Sequence, residues 1–227
     1  MIQIFIYNIF MQVLILAGGK GTRLRPLTNL TPKPLIKYKN KEILKHITDH
    51  LSKFSVKEVN VLIGQYFKKF RSYKLKENIN KKIKINIIKT GSNSDILKRI
   101  LLTENIIRSN FLLLYGDTIA DVNLRSLVSF HNKNKKKITI SVIPYRSDFG
   151  LISLDNKNNI NSFKEKPFSK YYINIGFFII EKEHFSLLRK YSDWETALQE
   201  LVKKKKVKCY IHKGNFHSIN NFRDLEK

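Results

Sequence analysis

Short apolar runs alternate along the chain with segments in which apolar residues recur every three or four positions. The runs at residues 13–16, 59–63, 111–115 and 138–143 have the length of strands that are buried on both faces. After the first run, helical spacing is shown by Ile43, Leu44, Ile47, Leu51 and Phe54. Strands that alternate with helices predict an α/β fold with a parallel sheet.

The remaining segments extend this pattern. Residues 64–89 are weakly patterned and predict a helix or loop, then a strand at 83–88. A further helix is predicted to carry Ile96, Leu97, Ile100 and Leu101, with Ser94 or Asp95 as its cap, and another to carry Leu124, Leu127 and Val128.

Beyond Pro144 the pattern changes to strands at 151–154, 160–163 and 173–180, with no helix between the first two. Helices near 182–189 and 193–203 and a strand at 207–212 follow. We therefore expect a Rossmann-like, doubly wound, mostly parallel sheet, with a smaller β-rich half resting on it.

A single domain spanning residues 11–227 is expected, because 227 residues suffice for one large core and are few for two. Residues 1–10 are an apolar extension ahead of Met11, without the features of a secretory signal; they are either an interaction-prone segment or the result of a start assigned one methionine too early. No apolar run has the length of a membrane span, so no membrane partner is expected. The single Cys209 fits a reducing cytoplasm.

The formal charge of +25 raises the alternative of nucleic-acid binding. The chain is, however, rich in Lys, Asn and Ile together, residues whose codons are built mostly from A and T, so genome composition explains much of the charge. No basic strand with interleaved aromatic residues is present. We expect no nucleic-acid partner and interpret the surplus as attraction for small anionic ligands.

Three glycines, Gly18, Gly19 and Gly21, follow the first predicted strand. Glycines there let backbone amides converge on phosphate oxygens, although they also occur in plain tight turns. Arg23 adds a planar donor fork suited to a polyphosphate, and Lys33 lies between two prolines that stiffen its backbone. The spacing matches neither the dinucleotide-binding fingerprint nor the P-loop.

The string GGKGTRLRPLT, followed by PKP, resembles the signature of the sugar-1-phosphate nucleotidylyltransferases. This resemblance runs from Met11 to the C-terminus. It implies transfer of a nucleotidyl group from a nucleoside triphosphate to a sugar 1-phosphate, with Mg²⁺ as cofactor. It also implies that the loop from Gly18 to Thr22, with Arg23, holds the β- and γ-phosphates, and that Lys33 stabilises charge at the α-phosphate.

Asp117 follows the predicted strand at 111–115, where an aspartate serves either as a metal ligand or as a turn or cap residue. The resemblance implies a magnesium ligand. By itself, the Glu165–Lys166 pair could be a surface ion pair. The resemblance instead implies Lys166 on the sugar phosphate and Glu165 on sugar hydroxyls, with Asn174 and Gly150 also contacting the sugar.

Within the family the resemblance is greatest to the glucose-1-phosphate cytidylyltransferases, which favours CTP, with the guanylyltransferases of heptose and mannose phosphates as competitors. The loop after Gly91 is shorter than in the family, and Asn220 stands where the second metal aspartate is expected. These departures support an alternative: a catalytically impaired, regulatory protein that binds nucleotide or nucleotide sugar. A homo-oligomer is a further expectation.

Overall fold

The computed structural model describes residues 11–54, 56–75, 83–134 and 137–226, so the extension predicted at residues 1–10 lies outside the described residues. The strands are β1 (Gln12–Ala17), β2 (Lys37–Tyr38), β3 (Lys41–Glu42), β4 (Glu58–Ile63), β5 (Lys84–Lys89), β6 (Phe111–Tyr115), β7 (Thr118–Ala120), β8 (Ile138–Arg146), β9 (Leu151–Leu154), β10 (Ile160–Lys164), β11 (Phe168–Ile180), β12 (Val207–Ile211) and β13 (Phe216–Ser218).

The helices are α1 (Leu27–Leu30), α2 (Ile43–Ser52), α3 (Phe67–Leu75), α4 (Ile96–Leu101), α5 (Leu124–Lys133), α6 (His184–Leu188), α7 (Trp194–Lys203) and α8 (Phe222–Glu226). The Asp95 carboxylate accepts the backbone N–H of Lys98 and so caps α4, one of the two caps predicted there. In the described part of the chain, no helix has the length and apolar character needed to cross a membrane.

A central sheet with the strand order β12-β8-β11-β6-β1-β4-β5 organises the described residues. Neighbouring strands β6, β1, β4 and β5 are mutually parallel, as are β12 and β8. The strand β11 is antiparallel to both of its neighbours. The fold class predicted from the sequence, a mostly parallel α/β sheet, is confirmed.

Helices cover both faces of this sheet, which explains why its central strands are apolar on both faces. On one face β1 and β4 pack against α2, α3 and α5, with Ile47 and Leu127 fully or almost fully buried. On the other face the same strands pack against α4, α6 and α7, with Ile100 and Trp194 buried. Successive residues of β1, such as Leu14 and Ile15, therefore belong to opposite layers of the core.

The position of β11 corrects one prediction. The strand predicted at 173–180 was expected in the smaller β-rich half, but its second part, including Phe178, pairs with β6 and β8 in the centre of the main sheet. The physical reason is burial: the residues from Ile175 to Ile180 are fully apolar apart from Gly176 and fill both layers of the core.

Outside the main sheet, β9 and β10 form an exposed antiparallel hairpin. The Asp155 carboxylate closes its turn by accepting the backbone N–H groups of Lys157 and Asn159. A register shift between Ile160 and Ser162 places Ile160 and Phe163 on the same face of the hairpin, opposite Leu154 and Ile152 respectively.

Candidate active site at the carboxyl edge of the sheet

The glycine loop leaves β1 at the carboxyl edge of the sheet, where ligands bind in open α/β folds. Gly21 adopts φ 62°, a conformation that favours glycine, and the Thr28 hydroxyl donates to its carbonyl at 2.8 Å. A Cβ at Gly21 would lie 2.7 Å from the Thr28 methyl group. The loop is therefore a fixed turn, and its conformation depends on glycine.

Lys33 and Asp117 meet directly beneath this loop. The Lys33 ammonium donates to Asp117 Oδ2 at 2.6 Å, and both side chains are mostly shielded from solvent. Gly116, just before Asp117, lets the end of β6 come close to the end of β1. Its N–H donates to the Leu16 carbonyl, and a Cβ there would lie only 2.5 Å from that oxygen. The ends of β1 and β6 are thus held together, with Asp117 at their junction.

Asn220 reaches the same place through the C-terminal part of the chain. Strand β13 pairs with β7, which follows Asp117, and the Ile219 N–H donates to the Asp117 carbonyl at 3.0 Å. The Asn220 backbone N–H donates to Asp224 Oδ2 and its side-chain amide to Ser218 Oγ, at 2.8 and 2.9 Å. These bonds use donors, and the amide oxygen is the Asn220 atom that could ligate a cation.

A small cavity of about 260 Å³ brings together the two predicted metal ligands and all of the predicted triphosphate-binding residues except Gly18 and Gly19. Its lining comprises Gly21, Thr22, Arg23, Leu24, Lys33, Asp117 and Asn220. Across the described ranges, no cluster of three or more His, Cys, Asp and Glu could hold a metal. One carboxylate and one amide oxygen nevertheless fit Mg²⁺ that arrives with a triphosphate, because phosphates and water supply most of its ligands.

A larger, adjoining cavity of about 890 Å³ opens beside the small one. Gly18, Gly19, residues 92–95, Tyr115 and Glu195 contribute to its wall. The indole N–H of Trp194 donates to the Tyr115 hydroxyl at 3.3 Å, and burial raises the pKa of Tyr115. This volume is in the range of small-molecule sites.

Arg99 also lines the larger cavity, and it is not among the residues predicted from the sequence. It lies on α4 and is 4% exposed. The only signal for it in the sequence is an arginine inside the apolar helical segment ILKRIL, at the same spacing as buried residues. Such an arginine also occurs as a snorkelling surface residue, so the pattern alone does not indicate a site.

The residues predicted to contact the sugar are not drawn into these two cavities. Gly150 and Glu165 lie together, because a Cβ at Gly150 would be 2.9 Å from Glu165 Oε2. Lys166 is exposed, with φ 43°, and its carbonyl accepts a hydrogen bond from Arg146 Nε. Asn174 is closer to the site, since its Oδ1 accepts the Gly176 N–H at 2.8 Å and Gly176 packs against the Tyr115 ring in the cavity wall.

Comparison with known proteins shows the family to which the chain is similar. The sequence profile of the family described as nucleotidyl transferase matches residues 12–224. The chain is 31% identical to the protein named probable glucose-1-phosphate cytidylyltransferase of Bacillus subtilis (strain 168), with 95% of this chain and 93% of the relative covered. It is 32% identical to D-glycero-alpha-D-manno-heptose 1-phosphate guanylyltransferase of Campylobacter jejuni, with 92% and 94% covered.

The fold is shared more widely. The crystal structure of a UDP-glucose pyrophosphorylase complexed with UDP-glucose superposes with a TM-score of 0.74 at 18% identity, covering 95% of each chain. The family profile and the two relatives confirm the resemblance first seen in the glycine loop. Because the family profile extends across nearly the entire chain and two relatives of similar length exceed 30% identity, the chain belongs to the nucleotidyl transferase family.

Proposed function

We propose that the protein transfers a nucleotidyl group from a nucleoside triphosphate to a sugar 1-phosphate, releasing pyrophosphate. The observation that carries this proposal is the small cavity in which Arg23, Lys33, Asp117 and Asn220 meet beside the glycine loop. Two cations and two oxygen ligands around one space suit a triphosphate with its metal. The two relatives named above act on sugar 1-phosphates according to their names.

In this scheme the loop amides of Gly18, Gly19 and Gly21, the Thr22 hydroxyl and Arg23 bind the β- and γ-phosphates. An oxygen of the sugar 1-phosphate attacks the α-phosphorus in line, a new P–O bond forms, and the bond to the β-phosphate oxygen breaks. Such chemistry needs positioning and charge neutralisation more than a protein nucleophile. Lys33 is poised for this role because its ammonium already lies against Asp117 and faces the cavity.

Mg²⁺ is the proposed cofactor, and it would neutralise the charge of the triphosphate. Asp117 and the amide oxygen of Asn220 would hold it. The Lys33 ammonium occupies one Asp117 oxygen in the free protein, so we expect that ammonium to shift towards phosphate when nucleotide and metal bind.

The sugar 1-phosphate is proposed to bind between the larger cavity and the base of the β9–β10 hairpin. Lys166 would pair with the sugar phosphate, while Glu165, Gly150 and Asn174 would contact the sugar. The proximity of Glu165 to Gly150, and the hydrogen bond of Asn174 to Gly176, which packs against Tyr115 in the cavity wall, support this placement. CTP is the favoured nucleotide, in line with the name of the Bacillus subtilis relative.

The decisive experiment measures pyrophosphate release with each of ATP, CTP, GTP and UTP against a panel of sugar 1-phosphates, with Mg²⁺ present. We expect release that requires both substrates and is greatest with CTP. Lys33→Met is the inactive comparison, and Lys37→Met, four residues along and exposed, is its matched control. Absence of release for every pair, with nucleotide still bound, would reject the enzyme assignment.

That outcome would favour the second candidate, a catalytically impaired protein that binds nucleotide or nucleotide sugar in a regulatory role. One observation supports it: Asp117 is the only carboxylate among the described residues that line the small cavity. Calorimetric titration with CTP and with CDP-glucose, read together with the release assay, distinguishes the two candidates, because the regulatory protein binds both ligands and releases no pyrophosphate.

We further propose a homo-oligomer in which a second copy covers the β9–β10 hairpin. An isolated two-stranded hairpin is marginal in water, yet Ile152, Leu154, Ile160 and Phe163 on its apolar face are each more than half exposed. The nearby Phe149, Phe168 and Tyr171 are also exposed. Together they present on the order of 800 Å² per chain, the scale of a stable protein interface.

Light scattering after size exclusion tests this proposal. We expect a dimer or larger species that dissociates in the Ile152→Ser/Phe163→Ser variant, whereas Lys164→Ser on the opposite face of the hairpin leaves it intact. A wild-type chain that is monomeric at about 100 µM would contradict the proposal.

A further inference from the structure

The guanidinium of Arg99 lies at the point where three neighbouring strands end. Its Nη2 donates to the Gly18 carbonyl at 3.0 Å, just after β1, and its Nη1 donates to the Thr90 hydroxyl, just after β5. Thr90 in turn bonds to the Ile63 carbonyl at the end of β4 through both its N–H and its hydroxyl. One side chain thus connects the carboxyl ends of β1, β4 and β5.

Glycine at two of these strand ends makes room for the guanidinium. A Cβ at Gly18 would lie 2.2 Å from Arg99 Cζ, and a Cβ at Gly64 would lie 2.9 Å from Arg99 Nη2. Both distances are too short for any side chain, and the atoms approached are inside a buried, bonded group. Glycine is therefore required at position 18 by the Arg99 guanidinium on one side, in addition to its place in the cavity wall on the other.

Arg99 carries its charge without a carboxylate partner among the described residues. None of the ion pairs in the described ranges includes it, and its guanidinium donates to a carbonyl and a hydroxyl. Desolvation by burial lowers the pKa of Arg99, and Asp95 opposes this only by its electrostatic field while its carboxylate caps α4. A buried cation in this state is costly in free energy.

The cost has a natural compensation at this position, because Arg99 borders the same cavity as Gly18 and Gly19. We propose that Arg99 is a positioning residue for the nucleotide: it fixes the Gly18 peptide, so that the following amides face the phosphates, and its charge is neutralised by the bound anion. This inference rests on the proposed nucleotide site and adds a residue to it. The shortened loop after Gly91 leads directly into the helix that delivers this side chain.

The stability of the ligand-free protein and its affinity for nucleotide should therefore respond differently to the loss of the Arg99 charge. Methionine has nearly the length of the arginine stem and no charge, so Arg99→Met removes the buried cation while keeping much of its volume. A purely structural brace would melt lower when removed. A cation kept for an anionic ligand would leave the melting temperature of the free protein unchanged or raised, while nucleotide affinity falls.

The experiment compares wild type, Arg99→Met, Arg99→Lys and the control Lys98→Met, which removes an exposed charge from the same helix. Thermal unfolding is measured without ligand, and calorimetric titration uses CTP, GTP and UTP without metal, with cytidine, guanosine and uridine as uncharged counterparts. We expect Arg99→Met to melt no lower than wild type, to bind triphosphates about tenfold more weakly, and to bind nucleosides almost unchanged. Lys98→Met should match wild type throughout.

Arg99→Lys retains a charge but cannot hold both Gly18 and Thr90, so its triphosphate affinity should fall by a smaller, severalfold amount. This variant carries the test alone if Arg99→Met does not fold. Wild-type triphosphate affinity in Arg99→Lys and Arg99→Met, or equal losses for triphosphates and nucleosides accompanied by a lower melting temperature, would overturn the proposal. A wild-type protein that binds none of these ligands would overturn the proposed function together with this inference.

Discussion

The Asn220→Asp substitution tests whether the lack of a second carboxylate in the small cavity limits metal affinity and turnover. Asn220 and Asp117 line one cavity, and the Ile219 N–H bond to the Asp117 carbonyl holds their backbones together. The substitution adds a carboxylate beside Asp117, and Ser218 Oγ, which now accepts from the Asn220 amide, can rotate to donate to it. The local hydrogen bonds therefore permit the change, and its main effect is electrostatic.

The magnitude follows from Coulomb's law. Two unit charges about 4 Å apart interact by about 1 kcal/mol in water, and this fully screened value is a lower limit for a cavity whose Lys33 and Asp117 side chains are mostly shielded from solvent. A carboxylate beside a divalent cation therefore gains about 2 kcal/mol over a neutral amide, roughly a thirtyfold increase in Mg²⁺ affinity in the presence of nucleotide. Repulsion from the nearby Asp224 reduces this gain, whereas Lys33 already pairs with Asp117 and limits repulsion there.

The assay is titration with Mn²⁺ as a spectroscopic substitute for Mg²⁺, in the presence of CTP at neutral pH, alongside pyrophosphate release at saturating Mg²⁺. We expect tighter metal binding and faster turnover in Asn220→Asp. The matched control is Asn221→Asp, which adds the same charge one residue along, outside the cavity lining. If turnover is brisk in the native chain and falls in Asn220→Asp, the asparagine is an adapted ligand and the reasoning from charge is refuted.

Four further predictions follow from the same structure. Arg23→Ala should lower turnover by roughly a hundredfold, about 2 to 4 kcal/mol of barrier, and should leave the melting temperature unchanged. The control Arg25→Ala, which is exposed and outside the cavity, should change neither turnover nor melting temperature. Equal effects of the two variants on turnover would contradict the phosphate role of Arg23. Gly176→Ala should cost about 1 to 3 kcal/mol in a urea unfolding titration, because φ is 74° there and a Cβ would lie 2.7 Å from a tyrosine ring; an unchanged midpoint would show that the strand relaxes. Hydrogen bonds from the first turn of α7 and from neighbouring hydroxyls lower the pKa of Asp193 from 3.8 to about 2, so its stabilisation is present above about pH 4 and is lost as the pH falls towards 2; acid unfolding curves of wild type and Asp193→Asn should differ above that range and converge below it. A chain beginning at Met11 should melt and bind CTP like the full chain, and a loss of solubility or affinity would show that residues 1–10 contribute.

The strands and helices could be predicted largely from the sequence, because the repeat of apolar positions reflects burial on one or both sides of an element. The buried runs at β1, β4 and β6 lie between two layers of helices, so almost every position in them is apolar. The glycine loop was visible for a similar local reason. Gly21 adopts a positive φ, and the charged Arg23 follows it by only two positions, so both signals lie within one short stretch of sequence.

The placement of β11 could not be predicted in this way. Periodicity indicates that residues 173–180 form a strand, but not which strands pair with it, since pairing depends on contacts between residues distant in the sequence. The short strands β7 and β13 were not predicted at all. Their three-residue lengths give no pattern, yet their pairing brings Asn220 to Asp117.

The sequence by itself determined the α/β class and the family, and it located the glycine loop for which phosphate binding is proposed, because each depends on residues that are close together along the chain. Tertiary structure alone decided which distant residues share a cavity. It brought Lys33 to Asp117 across 84 positions and Arg99 to Gly18 across 81, while Lys166 remained exposed at the base of the hairpin. The physical reason is that the sequence around a charged residue does not indicate which distant group its side chain will contact. The packing of the strand ends decides this.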